Sequence, residues 1–240
     1  MNDKLSRKER EAAHHRSEIL EAAEQVFVEK GYVSVSMEEV AQRAEFAVGT
    51  LYKFFRSKEE LYSEIILRKS FLYAPRIEKT LSQKVSPLEK IKTYYLERLN
   101  LFWEDPKFFR LFFHQTMSTV CDQRAGFKPQ LIELYKTFLE KLKGVFEEGI
   151  RRHIFYPFQS ITHVLLFEGM LRVYMAHLSR MDHPLRNQEE ERAIWDYFIR
   201  GAVLPSHSAY PLPRSGRVRD SGKSAVRKKR IRKGISLKEK

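Results

Sequence analysis

The sequence predicts an all-α protein: two helical domains followed by a basic tail. Three observations carry that expectation. Apolar residues recur at spacings of three and four through most of the first 205 positions. Helix-start signatures, in which Ser, Asp or Asn leads into a proline or a glutamate, punctuate the same stretch. No segment alternates apolar and polar residues in the period of a strand, and no internal repeat is visible.

The first helix is marked by Ile19, Ala22, Ala23, Val26 and Phe27, an i, i+3, i+4, i+7, i+8 stripe that needs one buried face. Gly31 supplies its stop, and residues 1–12 before it read as a flexible arm. Ser36-Met37-Glu38-Glu39 matches a capping box, so a second, two-turn helix starts near Met37 and runs through Val40 and Ala41. A short connection, Glu45-Phe46-Ala47, leads to VGTLYKFF at 48–55. There Val48, Leu51 and Phe55 share one face and dock inward, leaving Gly49, Thr50, Tyr52 and Lys53 outside. A glycine near a helix start lets the backbone approach a bulky surface, and a hydroxyl, a phenol and an ammonium beside it suit phosphate oxygens and base edges. Ser57-Lys58-Glu59-Glu60 reads as another capping box, with Lys58 in a first turn that already favours an anion. Two short helices joined tightly, the second polar outside, make a helix-turn-helix over about 36–55, a reader of the major groove of double-stranded DNA.

Those residues resemble a known family. ILEAAEQVFVEKGYVSVSMEEVAQRAEFAVGTLYKFFRSKEELYSEII is similar to the N-terminal domain of the TetR family of bacterial transcriptional repressors. The resemblance is carried by Ala22, Ala23, Phe27, Gly31, Tyr32, Val40, Ala41, Gly49, Leu51, Tyr52, Phe55, Ser57, Lys58, Glu59 and Leu61, and it spans 13–73, about a quarter of the chain. It implies that Ser36, Thr50, Tyr52, Lys53 and Lys58 face phosphates or bases, and with Val48 and Gly49 of the same helix start they make up the expected DNA-binding set. Two departures shorten that set: Ala44-Glu45-Phe46-Ala47 stands where the family often has Ala-Gly-Val-Ser, and Phe54 stands where a phosphate-binding histidine is frequent.

Beyond residue 73 the helical period continues. Ser86-Pro87-Leu88-Glu89, Asp105-Pro106, Pro129, Pro157 and Asn187-Gln188-Glu189-Glu190 each announce an element, which makes 74–205 a second all-helical domain. The family resemblance implies that this domain binds a small-molecule effector and pairs two subunits as a homodimer through its last two helices, here about 160–178 and 189–203. The first of these is apolar around most of its circumference, more than one intrachain face can bury. Phe102, Trp103, Phe112, Phe113, Tyr135, Phe138, Phe167 and Tyr174 are candidates to line a pocket for an apolar or amphipathic effector, core packing being the alternative for each.

Charge and cysteine usage set the remaining bounds. Of the net +13, residues 206–240 hold +10 while 13–73 hold −2, so the excess sits in a Ser-, Gly- and Pro-rich tail with no apolar face, read as disordered. Cys121 is the only cysteine, which fits a reducing, cytoplasmic setting. No apolar run reaches the length of a membrane span and the N-terminus lacks a secretory core. His114, His163 and His177 have no metal-ligand spacing, no nucleophile or phosphate-loop motif occurs, and no cofactor is implied, so catalysis has no positive signal. The reading is a ligand-responsive repressor; the rivals are an enzyme on the same helical architecture and a nonspecific nucleoid-associated protein that uses the tail.

Overall fold

A computed structural model describes residues 6–116, 128–181 and 183–206. Among them run nine helices: α1 (Arg7–Ser34), α2 (Met37–Arg43), α3 (Val48–Phe54), α4 (Lys58–Leu81), α5 (Pro87–Glu104), α6 (Pro106–Thr116), α7 (Pro129–Arg151), α8 (Ser160–Ser179) and α9 (Gln188–Ala202). The only bridge between extended residues among them pairs Phe155 with Val203. Cys121, the His114 side chain and the tail beyond Ser206 lie outside the described residues.

Most start signals act as the sequence requires. Ser36 and Glu39 form a complete capping box, Ser86 accepts from the Glu89 amide with Pro87 in the first turn, and Asn187 accepts from the Glu189 and Glu190 amides. The box at Ser57 is only half made. Ser57 accepts from the Glu60 amide, but the Glu60 carboxylate accepts from the Arg56 amide (2.8 Å), one residue upstream.

Two expectations about boundaries change. The flexible arm expected over 1–12 is helical from Arg7, because Ser6 and Glu9 close a capping box and Arg7 pairs with Glu11 four residues on. The junction expected at 73/74 falls inside α4, which passes through Pro75 without ending. A proline there removes one helical hydrogen bond, yet residues on both sides of it, Ile65, Ile66, Ile77 and Leu81, are buried and hold the helix together. Gly31 does interrupt α1: its φ of 76° and ψ of 157° lie in a region open essentially to glycine alone.

The packing follows from the stripes. α1 lies against α2, α4 and α6; α4 also packs on α5 and α7; α8 is held between α6 and α7, with α9 beside it. A continuous apolar core runs from Ile19, Val26 and Phe27 through Leu51, Phe55 and Ile66 to Phe102, Phe146 and Phe167.

Candidate nucleic-acid interface

α3 is a seven-residue helix with one face in the core and one in solvent. Leu51 is fully buried, and Phe55, extended just past the helix end, is buried with it; Val48 and Phe54 are half-buried against the same core. Gly49, Tyr52 and Lys53 are exposed and Thr50 half-exposed, as the spacing predicts. A Cβ at Gly49 would meet nothing within 4 Å, so packing inside the chain does not demand a glycine. What it leaves is a bare strip of backbone facing outward beside a phenol and an ammonium. Among the described residues, neither Tyr52 nor Lys53 has a hydrogen-bond or ion-pair partner.

Two of the expected contact residues are held within the protein. The Ser36 hydroxyl caps α2, accepting from the Glu39 amide (3.3 Å), and retains its own proton for an outside acceptor. Lys58 turns inward: its Nζ donates to the carbonyls of Tyr32 (3.0 Å) and Val33 (3.3 Å) and stands 4.7 Å over the Tyr32 ring. An ammonium so placed satisfies the carbonyls left at the end of α1, where the helix dipole favours a cation. It is engaged there rather than on the outward face.

The connection from α2 to α3 is tighter than the sequence suggests. The Glu45 amide donates to Gln42 O (3.2 Å) and the Phe46 amide to Ala41 O (2.9 Å), the paired bonds of a Schellman cap. Glu45 occupies its left-handed position with φ of 60°, which costs an L residue about 1–2 kcal/mol. Ala47 opens α3 without a side-chain cap.

Residues near the start of α1 brace the helix from behind, and the motif does not announce them. Arg16 Nη1 donates to Phe54 O (3.3 Å), Nη2 pairs with Glu64 (3.3 Å), and the guanidinium lies 4.4 Å over the Phe55 ring. The His15 ring sits 5.2 Å from Phe46 and 6.4 Å, edge-on, from Phe54. The signal available was the stripe itself, since Arg16 continues it at three and seven residues before Ile19 and Ala23. Here Phe54 fills with apolar packing the place where the family resemblance puts a phosphate contact.

Comparison with known proteins agrees with this geometry. The family model described as "Bacterial regulatory proteins, tetR family" matches residues 19–65, the end of α1's exposed portion through mid-α4. Residues 19–65 form a DNA-binding domain of the TetR type. A helix-turn-helix-type transcriptional regulator of Mycobacterium tuberculosis is 25% identical over 207 residues, covering 86% of this chain and 93% of that one. The transcriptional repressor NemR of Escherichia coli is 24% identical over 177 residues, 72% of this chain and 88% of its own. Among solved structures, the TetR-family regulator PfmR of Thermus thermophilus is 28% identical, with a TM-score of 0.59 over 76% of this chain and 97% of PfmR. FadR of Bacillus subtilis, solved with stearoyl-CoA, reaches a TM-score of 0.64 over 77% of this chain and 98% of its own; at 19% identity it shows the shared fold. A DNA-binding transcriptional regulator of all-helical build is therefore the class of this chain.

Across α5–α8 the eight aromatic candidates fall into separate groups. Phe102 (0% exposed) and Phe113 (2%) stack through Phe109 at the α5–α6 junction, with Phe112 and Trp103 half-buried beside them. Phe167 (1%) packs elsewhere, 4.7 Å from the Phe198 ring and 5.9 Å from Tyr94. Trp103 Nε1 donates to Glu191 (2.7 Å), and the Tyr174 hydroxyl is buried without a hydrogen-bond partner. Packing accounts for these residues because complementary rings fill one another's space. Tyr135 and Phe138 differ: neither is buried. Clefts of about 670 and 300 Å³ lie along the α8–α9 connection and between α5 and α9, and none of the eight lines them. Among the described residues no helix is long and apolar enough to cross a membrane, and no three His, Cys, Asp or Glu residues converge as for a metal ion.

Proposed function

We propose that this chain is a ligand-responsive repressor, a homodimer that reads a palindromic operator through α3 and is released by a small apolar or amphipathic effector held in its second domain. The observation that carries the proposal is the outward face of α3, where Gly49 bares the backbone beside Tyr52 and Lys53, which have no side-chain partner among the described residues. Leu51 and Phe55 fix that face in orientation, and Arg16 ties down its last carbonyl, so the donors are presented by a rigid element. One recognition helix per chain calls for a second copy, since operators of this class repeat their half-site at about one helical turn, 34–36 Å.

The dimer reading is supported by an apolar strip. Leu165, Leu166 and Val173 on α8 are 64%, 60% and 61% exposed, and Tyr197 on α9 is 78% exposed. Their neighbours on the opposite faces, Val164, Phe167, Leu171 and Phe198, fill the core, so these helices are apolar on both sides. A self-complementary patch of this kind closes a two-fold pair.

Footprinting on the DNA flanking the chain's own coding region, with light scattering in parallel, tests the whole reading. A dimer protecting two symmetric half-sites one turn apart is expected. A monomer in solution and on DNA, or uniform protection of any duplex, overturns it.

A further inference from the structure

A cluster of charge in the second domain is used neither by the DNA-facing surface nor by the apolar strip. Tyr94 and Arg98 stand one turn apart on α5, facing Glu168 on α8. Tyr94 is 2% exposed, Glu168 7%, and the Arg98 side chain 18%. The Tyr94 hydroxyl donates to Glu168 Oε1 (2.6 Å); Arg98 Nη1 donates to the Tyr94 oxygen (2.7 Å) and reaches both Glu168 oxygens (3.4 and 3.2 Å). A buried ion pair is weak evidence for stability, since well-packed apolar residues in its place are often no worse. Its upkeep here wants another reason.

The geometry of Arg98 supplies one. All its hydrogen bonds among the described residues leave from Nη1, so the Nε–H and both Nη2–H donors are unengaged. That side edge of a guanidinium matches a carboxylate with two parallel hydrogen bonds. A second guanidinium, that of Arg172, stands beside the nearby Tyr135 hydroxyl and hydrogen-bonds to it, with Glu168 and Arg98 also acting on that hydroxyl. Tyr135 is itself 43% exposed, which makes it a link between the cluster and solvent.

An apolar surface adjoins the charge. The inward stripe of α7 is buried in its second half, at Leu142, Val145, Phe146 and Gly149. The same stripe in the first half, Leu131, Leu134, Tyr135 and Phe138, contains no buried residue. From Leu131 to Phe138 it spans about 10 Å at 1.5 Å per residue.

We propose that the Nε/Nη2 edge of Arg98 anchors the carboxylate of an amphipathic small molecule whose apolar body lies along Leu131, Leu134, Tyr135 and Phe138 of α7. The inference deepens the effector reading above and rests on it for its regulatory meaning, though not for the binding itself.

Calorimetry on the full chain reads it, using straight-chain monocarboxylates from hexanoate to hexadecanoate, each against the neutral alcohol of the same length. The best acid is expected to bind at least about tenfold more tightly than its alcohol, the worth of a charge-assisted hydrogen bond. Arg98→Lys keeps a cation for Glu168 but loses the forked edge, and should erase the preference. The double variant Arg98→Met with Glu168→Met removes the buried pair together and should erase it too, with helical circular dichroism retained. Equal affinity for acid and alcohol, no binding of any acid in the series, or a preference that survives both variants overturns the proposal. The acid-against-alcohol comparison on the unaltered chain stands even if a variant fails to fold. Operator binding is scored separately: an acid bound through Arg98 that leaves DNA affinity unchanged establishes the site and sinks the effector reading instead.

Discussion

Replacing Glu45 by glycine should make the protein more stable, which is the reverse of what removing a side chain usually does. Glu45 holds a left-handed φ of 60° in the cap that turns α2 into α3. That conformation costs an L residue about 1–2 kcal/mol. Glycine is spared the penalty but brings back unfolded-state freedom worth about 0.5–1 kcal/mol. Both cap hydrogen bonds are made by backbone amides and survive the change, and the Glu45 side chain has no hydrogen-bond or ion-pair partner among the described residues. The net gain is up to about 1.5 kcal/mol, a rise of up to about 6 °C in melting temperature for a chain of this size.

Urea denaturation followed by circular dichroism measures it, with Glu45→Ala as the control. Alanine removes the same carboxylate from the C-terminal end of α2, where a negative charge is disfavoured by a few tenths of a kcal/mol, about 0.3 at least, but keeps the Cβ that creates the strain. Glycine should therefore exceed alanine. If alanine stabilises as much as glycine, the charge and not the backbone is responsible; if glycine lowers the midpoint, the turn is not strained and the argument fails. Operator affinity should hold or rise, because the turn is firmer and one negative charge beside the recognition helix is gone.

Three further outcomes are expected. Tyr52→Phe and Lys53→Ala should each weaken operator binding by about 1–3 kcal/mol while melting temperatures stay put, since both groups are exposed; unchanged affinity in both moves the reading surface elsewhere. Leu165→Asp with Val173→Asp should leave a folded monomer by light scattering, as both side chains already face solvent in one chain; an intact dimer would place the pairing surface off α8. Asp105→Asn should destabilise by about 1–2 kcal/mol at neutral pH, by loss of charge-assisted bonds. Burial raises the Asp105 pKa, but Lys69, Tyr73 and the Phe108 amide outweigh it and hold it below the usual value. A depressed carboxylate contributes fully above its unfolded pKa, about 4, and loses that contribution as pH falls through the lower folded value. The gap between variant and parent should thus close in acid; a gap that widens below pH of about 4 would contradict the assignment.

What could be read in the sequence was what is encoded locally. Caps at Ser36, Ser86 and Asn187 and first-turn prolines at 87, 106 and 129 work within four residues of themselves, and each opens a helix. The two faces of α3 follow from a 3.6-residue period, so Leu51 inside and Tyr52 outside needed no tertiary knowledge. The boundary at 73/74 was not legible because α4 runs on through Pro75, with buried residues on either side of it. The inward hydrogen bonds of Lys58 could not be foreseen because their acceptors, the Tyr32 and Val33 carbonyls, lie on another helix some 25 residues earlier. The aromatic residues of the second domain were ambiguous for the same cause. Rings that fill one another's space and rings that line a void share one sequence pattern, and only the fold divides Phe102 and Phe167 from Tyr135. Glu45 was visible as a departure from the glycine of the family, but its cost depends on a φ that composition does not carry.

Several ties through α4 link the recognition helix to the helices beyond it, and one carboxylate makes the most direct of them. Glu64, on α4, pairs with Arg16, which holds the last carbonyl of the recognition helix, and with Lys128, the residue that opens α7. Burial alone would push its pKa up, yet the two cations bring it below the ordinary range, so the carboxylate is charged whenever DNA is bound near neutral pH. A second tie runs through Lys69, shared by Glu24 of α1 and Asp105 ahead of α6, and a third through the Tyr62 hydroxyl, which donates to the Leu111 carbonyl of α6. The first two ties bridge α1 to the start of α7 and to the residue ahead of α6 through α4, while the third joins α4 to α6 directly. A displacement at the start of α7 therefore cannot leave Glu64 untouched, and Glu64 cannot shift without loosening Arg16 from Phe54 or drawing α3 along. Ion pairs weaken over a few ångströms, so a shift at the start of α7 is expected to be felt first in the pairs that Glu64 makes with Lys128 and Arg16. Coupling requires a second arrangement of α3 that a ligand prefers, and replacing Glu64 by Gln, which weakens both of its ion pairs, is the change expected to alter such coupling most.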